Sequence, residues 1–460
     1  MAQSHAALYR SVWRWHFYAG IIVAPFLLIL AVTGAIYLFN DEINDVLYPE
    51  LRFAAENGER VPLSRIAASA AQALPGSSVT RIDTPPSPGR TTQVFVTPRE
   101  GEPVRVFVDP GTGKVLGSYK YTSTLTGFAD VTHGSLMLGD FGDAVVELAA
   151  CWGFILTVTG LYLWWPRGNA RFYHALYPRL ALRGRQFWKS IHSVVGLWSA
   201  LLILFLILTG LPWATIWGDL FRQATDAAGI GYPASFRTHS APVSASLAVR
   251  DIAENAAPWT IEAMPAPMSD PHAGHHADKL KSVPGDARSA GLDEVAAQIL
   301  KQGMKDPYRL SLPQDAMGVF SAFTYPDDPQ GQRTLYIDQY SAAVVGDIRF
   351  QDYGVAAKAV ELGVQIHMGN YFGRVNQIVM LIPCLGIIIL TITGPYMWWL
   401  RKPKQAFGVP TPIGQTSLKA LALIVCILGL FFPLAGASLV LVLVLDWILR
   451  IAIPPKPASG

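Results

Sequence analysis

The chain is short of charge, of cysteine and of nucleotide-binding signatures. Only 15% of its 460 residues are charged and the formal net charge is +3. That is too small to argue for a nucleic-acid partner, and no basic–aromatic interleaving suggests one. The three cysteines, Cys151, Cys384 and Cys426, lie in separate apolar runs and form no CxxC. A disulfide framework and a cysteine metal cluster are therefore excluded, and the thiols read as small buried hydrophobes. No G-x-G-x-x-G follows a strand, no P-loop occurs and no Ser-His-Asp order can be assigned, so a pyridine-nucleotide site and a triad hydrolase both drop out. The first apolar run has no small-residue cleavage site and continues into "YLFNDEINDVLYPE". It reads as a retained anchor instead of a signal peptide.

Apolar and aromatic residues take the place of what is missing, at 51% and 11% of the chain. Runs long enough to cross a hydrocarbon core of about 30 Å fall near 15–39, 144–165, 190–214 and 376–400. A last run, about 416–453, is broken at "FFPLAGAS" and reads as a hairpin of two helices. Arg167, Arg171, Arg179, Arg183, Arg185 and Lys189 fill one connection without an acid. Arg10 and Arg14 precede the first helix, and Arg401, Lys402 and Lys404 follow the fourth. The positive-inside tendency makes these faces cytoplasmic. Both termini are then cytoplasmic and the two long connections lie outside, in the periplasm if the membrane is a bacterial inner membrane.

Two stretches repeat. "ILTVTGLYLWWPR" ends one apolar run and "ILTITGPYMWWLR" ends another; His133 and His367, Gly139 and Gly373, Thr157 and Thr391, and Trp164 and Trp398 are each 234 residues apart. The other two long helices match at a spacing of 176, through His16 and His192, Gly20 and Gly196, and Thr33-Gly34 and Thr209-Gly210. The outside segments repeat as well. A helix pattern, "LSRIAASAAQAL", precedes alternating strands that end in "VDPGTGKVLG"; "LDEVAAQILKQ" precedes strands that end in "YIDQYSAAVVG". Each reads as an α+β unit of one helix on an antiparallel sheet.

The "VDPGTGKVLG" ending resembles a PepSY domain. The H-x5-G…T-x-T-G-x-Y-x-W-W pattern beside it, present twice, resembles the PepSY-associated transmembrane family from the N-terminus to about residue 404. The resemblance implies a polytopic α-helical membrane protein with two periplasmic α+β PepSY-like domains. It would have an internally duplicated helix–PepSY–helix unit and a C-terminal helical hairpin. The expected divisions are helix 1 at 1–40, PepSY-like domain 1 at 41–130, helix 2 at 131–166 and a basic cytoplasmic loop at 167–186. Helix 3 follows at 187–214, PepSY-like domain 2 at 215–365 with an insertion at 240–290, helix 4 at 366–402, a loop at 403–415 and the hairpin at 416–453. Members of that family include iron-regulated membrane proteins and siderophore reductases carrying b-type haem.

Two halves that each cross the membrane an even number of times share one orientation, so an axis along the membrane normal should relate them. That axis sets His16 opposite His192 at the cytoplasmic side and His133 opposite His367 at the outer surface. Haem iron takes an axial imidazole nitrogen, and a second histidine fills the opposite site, which suits electron transfer. Ionisable groups inside a membrane are commonly functional. His16, His192, His133 and His367 are thus the expected ligands of two haems. The T-x-T-G glycines read as close-approach positions, with threonines bonding across or back along the helix. Tyr162, Tyr396 and the Trp-Trp pairs read as an interfacial belt.

The insertion "MPAPMSDPHAGHHADK" places His272, His275 and His276 beside Met264 and Met268, donors that suit copper among other metals. The function expected is an inner-membrane di-haem electron carrier that takes electrons from a quinol or a cytoplasmic reductase and reduces a periplasmic ferric siderophore. Two rivals stand beside it: a haem-free membrane-anchored PepSY binding module, and a periplasmic copper- or metal-handling protein.

Overall fold

The computed structural model describes residues 2–55, 60–167, 172–231, 243–248, 258–262, 264–269, 290–315, 317–403 and 418–452. Along the chain, α1 (Ala2–Tyr37) leads to α2 (Leu63–Ala73) and the strands β1 (Ser78–Asp83), β2 (Thr92–Thr97), β3 (Val104–Val108) and β4 (Val115–Lys120). Next come α3 (Leu125–Ser135), α4 (Gly139–Trp164), α5 (Gly184–Gly210), α6 (Thr215–Ala227), α7 (Trp259–Glu262) and α8 (Leu292–Lys301). A second set of strands follows: β5 (Arg309–Ser311), β6 (Val319–Thr324), β7 (Arg333–Asp338) and β8 (Val344–Arg349). The chain then forms α9 (Val355–His367), α10 (Arg374–Trp399), α11 (Leu418–Phe431) and α12 (Pro433–Ala452).

Among the described residues, four helices are long and apolar enough to cross a membrane, within α1, α4, α5 and α10. The chain is a multi-pass membrane protein. At about 1.5 Å per residue, the 26 residues of α4 exceed the core thickness, and a helix satisfies its own backbone where water is absent. The four form a ring in which α1 and α5 each pack against α4 and α10. At the C-terminal end α11 and α12 meet at Phe432–Pro433 and pack against each other, and α12 packs on α4. Cys151 and Cys384 are buried, whereas Cys426 in the hairpin is exposed, contrary to the reading of all three as buried.

The two sets of strands are not separate sheets. They join, β1 to β5, into one eight-stranded antiparallel sheet of order β8-β7-β6-β5-β1-β2-β3-β4. On one face, Ile66 and Ala70 of α2 pack with Ile82, Val94 and Val106, and Val295 and Ile299 of α8 pack with Leu310, Phe320 and Ile337. Period-2 alternation in each strand creates this face. The fourth strand of each set, β4 and β8, lies beyond a turn that sequence reading treated as the end of the unit. Asp109 builds the first of these turns by accepting from the backbone N–H groups of Gly111 and Thr112. Asp338 does the same with Tyr340 and Ser341.

On its other face the second half of the sheet packs Phe323, Tyr336 and Ile348 against Ala357 and Val360 of α9 and against Trp259, Ile261 and Met264. Met264, read as a candidate copper donor, is instead a fully buried core residue. Its thioether is spent on packing, which Met suits by its flexibility. His272, His275 and His276 lie outside the described residues.

The helices expected at 131–166 and 366–402 are each two helices. Leu136 and Met137 take φ of 51° and 60°, and Gly139 and Gly373 both take 58°, so the chain turns sharply between α3 and α4 and before α10. Left-handed backbone at a break favours glycine. A Cβ on Gly142 would overlap the Ser135 carbonyl oxygen, which keeps this break tightly closed. His133 and His367 therefore sit at the C-terminal ends of α3 and α9 instead of beginning the spanning helices.

Candidate functional site

All four expected histidines line one cavity that runs the length of the bundle, with a volume of about 820 Å³. Pockets that take drug-sized ligands run from about 300 to 1,000 Å³. Its middle is walled by apolar side chains such as Ala24, Leu27, Ala31, Leu206 and Ile207. The end away from the sheet holds His16 of α1 and His192 of α5, which lie within electrostatic reach of each other. The sheet end holds His133 and His367, whose ring centres are 6.4 Å apart with the planes at 79°.

Each ring is fixed by a threonine on another helix. The Nδ1 of His16 lies 2.9 Å from Thr159 Oγ1, and that of His192 lies 2.8 Å from Thr393 Oγ1. His133 Nδ1 is 3.2 Å from Thr33 Oγ1 and His367 Nδ1 is 2.9 Å from Thr209 Oγ1. The direction of these bonds follows from the threonines. Each hydroxyl already donates its hydrogen, at 2.7 Å, to the carbonyl four residues earlier in its own helix. Its oxygen is left to accept, so each Nδ1 carries the proton and donates it. For His133 a second observation agrees, because Nδ1 also lies 3.0 Å from the Leu30 carbonyl, which can only accept. The tautomer that results leaves the Nε2 lone pair of every ring uncommitted. Orienting an imidazole through its other nitrogen is how second-shell groups prepare a metal ligand.

A glycine follows each of these threonines, and it makes room for the ring. A Cβ on Gly34 would stand 3.1 Å from His133 Cε1, and one on Gly160 would stand 3.3 Å from His16 Cε1. Gly210 and Gly394 approach His367 and His192 in the same way, at 3.5 and 3.7 Å. The Thr-Gly step is thus a cradle for a histidine on a neighbouring helix. Sequence reading gave it a packing role; the signal lay in the recurrence of Thr-Gly on all four spanning helices.

The electrostatics of the sheet-end pair favour neutral imidazoles. Burial pushes His133 below its ordinary value and takes His367 down to about 3, with the facing His133 adding to the second shift. Near neutral pH both rings keep their lone pairs. The aromatic residues divide: Trp165 and Trp399 are exposed, as a belt requires, while Trp164 and Trp398 line the cavity.

Two neutral imidazoles side by side, each oriented through Nδ1 and each with Nε2 uncommitted, are a donor set that would suit a metal-centred group. Among the described residues no group of three or more His, Cys, Asp and Glu could hold a metal ion by protein ligands alone. No curated protein matches the chain. The family model for the PepSY-associated TM region matches residues 13–401, a stretch that includes most of the first spanning helix, the other three, the eight-stranded sheet and all four cavity histidines. The chain belongs to the PepSY-associated TM region family.

Proposed function

We propose that the protein is a di-haem b-type electron carrier of a bacterial inner membrane that reduces a ferric siderophore in the periplasm. The observation that carries this reading is the pair of histidine couples in one cavity, each ring held through Nδ1 with Nε2 free. His16 and His192 would hold one haem and His133 and His367 the other. Haem held there would supply one-electron chemistry. The protein's part is to fix four rings at their Nδ1 atoms and to keep water away with an apolar wall. The basic residues of the loops gather at the end away from the sheet, which supports a cytoplasmic assignment for that end and a periplasmic one for the sheet as two PepSY-like halves.

Electrons would enter at the His16 side from a quinol or a cytoplasmic reductase and leave at the His133 side. The siderophore comes from the family resemblance. Reduction to Fe(II) weakens the metal's hold on hard oxygen ligands and releases it. Chemically reduced protein in lipid nanodiscs, mixed with a ferric siderophore, should reoxidise while a ferrous chelator traps Fe(II). Reduced protein that stays reduced with ferric chelates but reoxidises with cupric ion would contradict the iron assignment.

A further inference from the structure

The cavity end that holds His16 and His192 is cationic, and no acid among the described residues lines it. Arg185, Lys189 and Arg401 form part of the wall there. The acids that line the cavity, Asp130, Asp143 and Glu147, belong to the sheet end. Asp130 is one turn of α3 before His133. Asp143 and Glu147 accept from backbone N–H groups in the first turn of α6. Glu147 stands twelve residues, about 18 Å along α4, before the Thr159 that orients His16.

The positive-inside tendency accounts for cations on this side of the bundle, but it does not require them on a cavity wall. The sequence of α5 puts them there. Arg185, Lys189, His192 and Gly196 follow one another at intervals of four, three and four residues, which makes one stripe of a helix, and all four line the cavity. The matching stripe of α1, 176 residues earlier, reads Tyr9, Trp13, His16 and Gly20, and it lines the cavity too. The duplication keeps the histidine and the glycine while two aromatic residues in one copy stand as two cations in the other. Axial ligation explains what the copies share. It does not explain the cations.

Arg401 is engaged by aromatic faces, with its guanidinium 5.0 Å from the centre of Trp13 and 5.6 Å from that of Phe17. Burial, and then the neighbouring Arg185, hold Arg401 below its ordinary value, so two cations at this mouth repel each other. Arg185 and Lys189 make no hydrogen bond or ion pair among the described residues. An anion placed beside them would turn that repulsion into attraction.

We propose that Arg185 and Lys189 hold the carboxylates of the porphyrin bound by His16 and His192. This rests on the di-haem reading. A guanidinium offers paired donors to a carboxylate and an ammonium offers a mobile point charge. Both side chains are exposed, so water screens the bonds and the effect on affinity is modest.

The test uses full-length protein produced without haem, in a His367→Ala background so that only the far pair can load. Haem and haem dimethyl ester, whose carboxylates are blocked, are titrated in nonionic detergent and in phospholipid nanodiscs, and binding is followed by absorbance. With both cations intact, haem should bind about fivefold more tightly than the ester in either medium, the scale of exposed ion pairs. Arg185→Gln/Lys189→Gln should bind the two compounds alike, and should bind the ester as the intact protein does. Equal binding with the cations intact, or a preference that survives the double substitution, overturns the inference. A preference seen in detergent and lost in nanodiscs also overturns it, because lipid phosphate then occupies the cations. Should the double variant bind the ester more weakly than the intact protein, Lys189→Gln decides: a reduced preference supports the inference and an unchanged one refutes it. Binding of neither compound with the cations intact refutes the di-haem reading itself, and the inference falls with it.

Discussion

Alanine at His367 should remove one of the two haems, and alanine at His133 should remove the same one. The two rings face each other at the sheet end, 6.4 Å between centres, and each is held by its own threonine on a different helix. Neither threonine can substitute for a lost ring, because a hydroxyl does not supply the nitrogen donor that haem iron takes from histidine. His16→Ala and His192→Ala should remove the other haem. The double variant His133→Ala/His367→Ala should lose no more haem than either single one, since residues acting as a unit are not additive. Reduced-minus-oxidised spectra with haem quantitation read this directly. Loss of one common signal from His16→Ala and His133→Ala would show that the pairs run along the bundle instead of across it.

Leucine at Gly34 should also abolish the sheet-end haem, although Gly34 shares α1 with His16. A Cβ there already comes to 3.1 Å from His133 Cε1, and the rest of a leucine side chain would occupy the ring's own space. Gly160→Leu should by the same geometry, 3.3 Å from His16 Cε1, abolish the other haem. Overpacking at a close-packed contact forces side chains off their rotamers, and a displaced imidazole cannot meet an axial position. Valine at the threonines should act more gently and unequally. Thr159→Val leaves the Nδ1–H of His16 without its bonded partner, and loss of such a second-shell group typically weakens metal binding about 10- to 100-fold. Thr33→Val should cost less, because the Leu30 carbonyl still accepts from His133. If Gly34→Leu removed the signal assigned to His16, the cradle would serve its own helix and the crossing of Thr-Gly to a neighbour would be wrong.

The histidine couples were legible because gapless spacings of 234 and 176 carry His133 to His367 and His16 to His192. Which Thr-Gly step serves which histidine was not legible. Thr33 and His133, or Thr159 and His16, lie on different helices, and a spacing within a repeat says nothing of contacts between its parts. The breaks at Gly139 and Gly373 escaped for a related reason. Both glycines matched in the repeat, but a matched glycine does not disclose a φ of 58°. The single eight-stranded sheet depends on three paired residues of β1 and β5, Arg81–Asp83 with Arg309–Ser311. Pairing between edges so far apart leaves no periodic trace. Met264 shows the opposite error: donor chemistry beside three histidines drew a metal reading, and the need of the sheet's second face for apolar cover explains the residue.

The haem content of the purified protein bears most directly on the whole account. Protein extracted from membranes supplied with haem, assayed as the pyridine haemochrome against chain concentration, should carry close to two haems per chain, as two opposed histidine pairs in one cavity require. A value near zero would contradict the account.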